Sequence, residues 1–144
     1  MIKLSRNKIL YQKFNRPDTF SDRLIFFLIH FAFFIKTYKN KENTKILQNI
    51  YDYVFRQLEL SIREIGYGDQ SINKKMKDYI NFFHNIVSEI HFWEKLNDIE
   101  KKKILVSFFE DLPEIDHIYD YFVVFISELS KKNLISYLNS VSNK

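Results

Sequence analysis

The sequence predicts an all-α fold, a single-domain bundle of six or seven helices over residues 1–144. Apolar residues recur at the three- and four-residue spacing of a helix along nearly the whole chain. The chain also contains only 2 Gly and 2 Pro, so it has room for long helices and few residues suited to the tight turns of an all-β fold. With 144 residues, it is long enough for one domain with a substantial core.

The first predicted elements are a short amphipathic helix over residues 3–14 and, after a turn at residues 16–18, a long helix that ends near Tyr38. Thr19 precedes the second helix in the position of an N-cap, and Asp22 three residues later completes a variant of the capping box. This helix is apolar almost all round, which indicates a central position in the bundle.

The most apolar stretch of that helix, Leu24 to Ile35, is too short to cross a bilayer. As a helix it spans roughly 18 Å, against about 30 Å for the hydrocarbon core. We therefore expect a buried helix of a soluble protein. The first residues of the chain also lack the apolar run and cleavage site of a secretory signal, so we expect a cytoplasmic location.

A helical hairpin is predicted in the middle of the chain. The apolar period indicates one helix from about Thr44 to Ile65 and a second that starts near Ser71. Gly66 follows the first helix directly, where a left-handed C-terminal cap is expected. Gly68 lies in the same turn, and we expect both glycines to be required by the backbone.

Three further helices complete the predicted bundle. Asn97, with Glu100 three residues later, caps a shorter helix that ends near residue 110. Residues 111–114, Asp-Leu-Pro-Glu, combine a cap, an early proline and an acid, so they begin another helix. A last helix covers about residues 133–141.

The residues form no recognisable catalytic motif. The absence of Cys excludes a disulfide scaffold and thiolate chemistry, and two glycines cannot build a phosphate-binding loop. The strongest metal candidate is one acidic stretch: Glu114, Asp116, His117 and Asp120. A single helix supplies these side chains, and interaction with the helix dipole also explains acids at its start. We therefore predict a binding protein without enzymatic activity, cofactor or metal, and keep a small metalloenzyme as a third interpretation.

Basic side chains are concentrated in the first part of the chain. Residues 1–80 contain 15 Lys and Arg against 8 acids, whereas residues 81–144 contain 7 against 10. A basic surface suits RNA, a ribosome or anionic lipid. The simpler alternative is a solvated, lysine-rich surface in a protein of biased composition.

Two separated motifs resemble one known family. In the first, Pro17, Asp18 and Thr19 follow an aromatic residue, Arg23 comes four residues after the Thr, and His30 lies in the apolar helix. The second is the segment from residue 60 to 69 with the basic group after it. Its matching residues are Arg63, Glu64, Gly66, Gly68 and Asp69, then Lys74, Lys75 and Lys77. On these motifs the chain resembles the ubiquinol–cytochrome c chaperone family over residues 9–95.

This resemblance implies a non-enzymatic assembly chaperone of the cytochrome bc1 complex, respiratory complex III, that binds newly made cytochrome b. It also implies further partners, namely the ribosome, the anionic inner-membrane surface and a second assembly factor, but no DNA. Localisation would then be cytoplasmic or peripheral on the inner face of the inner membrane. The alternative function is a basic helical module that binds RNA or the ribosome without a cytochrome b client.

The motif residues also have structural interpretations. Asp18, Thr19 and Asp69 are candidates for helix caps. Arg23 and Arg63 are expected either to form internal ion pairs, with Asp22, Glu64 or Asp69, or to contact the client. The three lysines are expected to be exposed and to dock the protein on a ribosome or membrane. One departure from the family is His84-Asn85, where relatives tend to have Gly-Arg.

Overall fold

The computed structural model describes residues 20–109 and 115–142, and these residues form six α-helices and no strand. The helices are α1 (Phe20–Tyr38), α2 (Thr44–Ile65), α3 (Asp69–Glu89), α4 (Asp98–Ser107), α5 (Ile115–Ser130) and α6 (Leu134–Ser142), with a 3-10 turn (Trp93–Lys95) before α4. The predicted all-α class is confirmed. The predicted helix over residues 3–14, the turn at 16–18, the Thr19 cap and the helix start at 111–114 lie outside the described residues.

Helix α1 is the centre of the bundle, as its apolar composition predicts. It packs against α3 on one side and α5 on another, so it has no face left for solvent over most of its length. Phe26, Phe31 and Phe34 are fully buried. Burial of such side chains stabilises a fold by about 1.5–3 kcal/mol each. Among the described residues, no helix is both long and apolar enough to span a membrane.

Helix α2 lies at the outside of the bundle and packs chiefly against α3. Its buried contacts come from one stripe, formed by Leu47, Phe55 and Ile62 at seven- and eight-residue spacing. This spacing returns a side chain to the same helix face after two turns. The rest of α2 is half-buried or exposed, so an exposed face runs along its 22 residues.

Helix α3 begins at Asp69, two residues before the predicted start, and Asp69 does not cap it. The N-cap residue is Gly68, whose carbonyl accepts a hydrogen bond from the Ile72 N–H at 2.9 Å. Gly68 provides no side chain for capping. The predicted capping role of Asp69 is therefore wrong, because its carboxylate turns back towards α2.

The last three described helices complete the core. The Asn97 side chain accepts a hydrogen bond from the Glu100 N–H at 2.8 Å, which confirms the predicted cap of α4. Helix α5 packs against both α4 and α1. Leu134 and Tyr137 of α6 are buried against the same core. This end of the chain therefore shares one hydrophobic cluster with α1.

Candidate functional site

The turn between α2 and α3 carries most of the second motif. Gly66 ends α2 in the left-handed conformation, with φ 102° and ψ 17°, and its N–H donates to the Arg63 carbonyl at 3.0 Å. A residue with a Cβ is strained in this region, which glycine enters freely. The predicted positive φ of Gly66 is therefore confirmed.

The Arg63 side chain connects the two helices on either side of this turn. Its Nη1 donates to Asp69 Oδ1 at 3.0 Å, and its Nη2 to Glu59 Oε1 at 3.3 Å. The hydrogen bonds to Asp69 and then Glu59 raise the pKa of Arg63. Of the three acids expected from the sequence, Asp69 is the observed partner. Glu59 was missed, although its four-residue spacing from Arg63 is a standard signal for a helical ion pair.

Gly68 does not need the conformational freedom that the sequence suggested. Its backbone is extended, with φ −71° and ψ 161°, which every residue type adopts. No heavy atom of the described structure lies within 4 Å of the position that a Cβ would take. The predicted backbone requirement at Gly68 is therefore wrong, because Gly66 is the one of the two glycines that has a positive φ.

Two large apolar side chains on this turn face solvent. Ile65 is 54% exposed and Tyr67 is 44% exposed, one on each side of Gly66. A separate exposed stripe runs along the outer face of α2 through Tyr53 and Leu60, which are seven residues apart. Sequence reasoning missed this surface, although the seven-residue spacing of Tyr53 and Leu60 was available as a signal. The turn thus presents apolar side chains on a backbone held by an ion pair.

The basic group after the turn is only partly in the expected position. Lys74 and Lys77 are exposed, as predicted. Lys75 is half-buried, because its Nζ lies over the Tyr67 ring, 4.5 Å from the ring centroid. A cation over an aromatic face is attracted by the ring electrons. Lys75 therefore supports Tyr67, while the other two lysines remain available to a partner.

The first motif is placed away from this surface. Asp18 and Thr19 lie outside the described residues, and Arg23 is half-buried near the start of α1. His30 is fully buried, enclosed by the rings of Phe122 and Phe125 at centroid distances of 4.9 and 4.7 Å. The structure therefore gives His30 a place in the core and not on a binding surface.

Both nitrogens of His30 are hydrogen-bonded. Nδ1 lies 2.5 Å from the Phe26 carbonyl, which only accepts, so Nδ1 donates. Nε2 lies 2.6 Å from Tyr121 Oη and, in the neutral ring, accepts from this hydroxyl. Burial lowers the pKa of His30 to about 4. His30 is therefore a neutral link between α1 and α5.

One acid of the stretch considered for a metal, Asp116, forms an ion pair. Asp116 Oδ1 lies 2.9 Å from Lys102 Nζ, which joins α5 to α4. Within residues 20–109 and 115–142, no group of three or more His, Asp or Glu side chains is arranged to hold a metal. Glu114 lies outside the described residues.

The fold and the turn define a helical protein that exposes apolar side chains on a turn spanned by an ion pair. The model of the ubiquinol-cytochrome C chaperone family matches residues 12–91, more than half of the 144 residues. The chain belongs to this family, whose description supports a chaperone role for the cytochrome bc1 complex. The matched range contains both motifs and helices α1 to α3. No curated protein and no solved structure matches the chain.

Proposed function

We propose that this protein is an assembly chaperone that binds newly synthesised cytochrome b before it enters the bc1 complex. The observation that carries the proposal is the family match over residues 12–91, which includes the entire α2–α3 turn. A chaperone for a membrane protein requires exposed apolar surface, because its client has apolar segments that are not yet packed. The turn and the outer face of α2 supply such a surface.

Ile65 and Tyr67 are the proposed client contacts. They are exposed to 54% and 44%, and neither belongs to the buried core. The ion pair between Arg63 and Asp69 would hold the turn in one conformation before the client arrives. A pre-ordered surface loses less conformational entropy on binding, so it binds more tightly.

Position 68 allows the proposal to be tested, because the space beside Gly68 is open. No heavy atom of the described residues would meet a Cβ there, and the backbone conformation suits any residue. A larger side chain at this position would therefore leave the fold intact and stand in the path of a client. This makes position 68 a probe of binding that is separate from stability.

The lysines after the turn are the proposed contact with a ribosome or an anionic membrane surface. Lys74 and Lys77 are exposed and three residues apart on α3, so their charges lie on one face. Attraction between lysines and phosphate groups acts over a long range and weakens with salt. The proposal includes peripheral attachment at the inner face of the inner membrane and leaves room for a second assembly factor.

Affinity purification with mass spectrometry tests the proposed client. The tagged full chain should recover cytochrome b from cells that are assembling the bc1 complex. Tyr67→Ser and Gly68→Gln should each lower that recovery several-fold. Val124→Ser is the matched control, because Val124 is 61% exposed on α5, away from the turn.

Three results would count against the proposal in different ways. Ribosomal proteins without cytochrome b would support the alternative function, an RNA- or ribosome-binding module. Recovery of neither would overturn both functions. Equal loss in the control variant would show that cytochrome b binds elsewhere than at the turn.

A further inference from the structure

A groove opens at the end of the bundle where α1 and α3 end and α2 begins. Its volume is about 560 Å³, inside the range of about 300–1,000 Å³ that is usual for small-molecule sites. The groove lies at the opposite end of α3 from the α2–α3 turn. A helix of 21 residues separates the two by roughly 30 Å at 1.5 Å per residue.

The floor of the groove is apolar. Leu47 and Phe83 are buried at its base, and Ile35 and Val87 are half-buried beside them. These four side chains come from three different helices. This apolar part of the groove is therefore a product of the tertiary fold.

The rim of the groove is cationic or polar. Its charged or polar side chains include Lys36, Lys39, His84 and His91. No carboxylate occurs among the described lining residues. Lys36 Nζ is 3.0 Å from Glu94 Oε1 and also donates to the His91 carbonyl at 3.0 Å. Lys39 is exposed and makes no ion pair with a described residue. Lys39 is thus a lysine of the rim that has no ion-pair partner among residues 20–109 and 115–142.

We propose that this groove binds an anionic phospholipid of a bilayer, which rests on the peripheral attachment proposed above and adds a second membrane contact at the other end of α3. The complement of an apolar floor with a cationic rim is an amphiphile with an anionic head and an apolar chain. A soluble anion would leave the floor in contact with water, and an uncharged apolar segment would leave Lys39 without a partner. A phospholipid satisfies both, with its phosphate at Lys39 and the start of an acyl chain over Leu47 and Phe83.

Phe92 provides independent support for a bilayer as the source of this lipid. It follows His91 of the rim and is 58% exposed. The centroids of the Phe92 and His91 rings are 4.5 Å apart. Lys95 Nζ lies 5.3 Å from the centroid of the Phe92 ring. An exposed aromatic ring among basic side chains is typical of surfaces that lie in the headgroup region. Phe92 would enter the bilayer surface while the groove holds a lipid beside it.

Vesicle co-sedimentation with the full chain tests the proposal. The protein should sediment with vesicles of phosphatidylcholine mixed with phosphatidylglycerol, and not with vesicles of phosphatidylcholine alone. Lys39→Glu should weaken this binding roughly 30-fold, since each charge near a lipid surface changes binding roughly fivefold. Lys103→Glu is the matched control, because Lys103 is an exposed lysine on α4 that does not line the groove. It should bind like the parent.

Two further variants separate the groove from a general charge effect. Val87→Trp fills the groove and should lower binding several-fold, with thermal unfolding measured to confirm that the variant is folded. Phe92→Ser changes an exposed residue, so it should reduce vesicle binding without loss of stability. Should Val87→Trp fail to fold, Phe92→Ser and Lys39→Glu still decide the outcome.

Three results would overturn the proposal. The first is equal binding to both kinds of vesicle, and the second is an equal effect of Lys39→Glu and Lys103→Glu. The third is release from the vesicles by glycerol phosphate, because this would show that the rim binds a soluble phosphate and that the bilayer is not required.

Discussion

Arg63 and Asp69 join the last turn of α2 to the first residue of α3, with Arg63 Nη1 3.0 Å from Asp69 Oδ1. Gly66, the glycine with positive φ, lies between them in the chain. The ion pair spans the turn on its exposed side, while the backbone of Gly66 sets its direction. Both residues belong to the motif that characterises this part of the sequence, and the exposed Ile65 and Tyr67 lie between them in the chain.

The first prediction concerns this ion pair. Arg63→Met should leave the midpoint of thermal unfolding nearly unchanged, because exposed ion pairs contribute little to stability. Recovery of cytochrome b in affinity purification should fall, because loss of the contact lets the exposed turn open locally without a change in the global free energy of unfolding. A large fall in the unfolding midpoint would instead show that Arg63 is required for the fold. Glu59→Gln, which keeps the Asp69 contact, is the control.

The second prediction separates the two glycines. Gly66→Val should lower the free energy of unfolding by more than about 1 kcal/mol, because a β-branched residue is strained at positive φ. Gly66→Asn should be milder, since asparagine tolerates this conformation. Gly68→Ala should be close to neutral, because its backbone is extended and the space around it is open. Urea denaturation of the three variants measures the order, and equal effects at both glycines would contradict it.

The third prediction is a loss of stability in acid that originates at His30. Burial lowers the pKa of His30 from 6.5 to about 4, so the folded chain keeps the ring neutral. Below pH about 6.5 the unfolded chain binds a proton that the folded chain does not, and stability therefore falls as the pH decreases. Above that pH this residue causes no change. Between pH 7 and pH 5 its share of the loss is about 2 kcal/mol.

Urea denaturation at pH 7 and pH 5 measures this loss. His30→Gln does not titrate in this range, so it should lose about 2 kcal/mol less than the parent between the two pH values. Carboxylates that titrate in the same range affect both proteins alike and cancel in the comparison. The same dependence in parent and variant would show that the folded chain protonates His30 as readily as the unfolded chain.

The fourth prediction concerns the lysines at the start of α3. Replacing Lys74, Lys75 and Lys77 by Glu should weaken co-sedimentation with ribosomes or anionic vesicles at low salt and leave thermal stability nearly unchanged. The double variant at Lys74 and Lys77 isolates the charge effect, because it keeps the contact between Lys75 and Tyr67. Sedimentation equal to that of the parent across a salt titration would identify these lysines as a solvated face.

Local features of the fold could be predicted from the sequence. The bounds of α2, the left-handed Gly66 and the Asn97 cap depend on residues within a few positions of one another. Their signals are therefore contained in short segments. The start of α3 was predicted two residues late because Asp69 has two uses, capping its own helix or pairing with Arg63. The position of α2 in the folded structure determines which of these two contacts Asp69 makes.

Features that depend on distant residues could not be predicted in this way. The tyrosine that hydrogen-bonds to His30 lies 91 residues later in the chain. The floor of the groove combines side chains from three helices, and no single segment carries its pattern. The exposed apolar stripe on α2 was overlooked for a related reason. Apolar residues at helical spacing predict a buried face, and the neighbouring helices determine which of two such faces is covered.

The hydrogen bond between His30 and Tyr121 has a consequence for how the chain can be divided. The family match ends at residue 91, whereas Tyr121 and the rings that enclose His30 lie beyond it. A fragment that stops at the end of the match would expose one side of α1 to water. It would also remove the hydrogen-bond partner of His30, which is buried in the full chain. We expect such a fragment to aggregate. We therefore expect the cooperative folding unit of this chain to extend beyond the matched residues and to include α5.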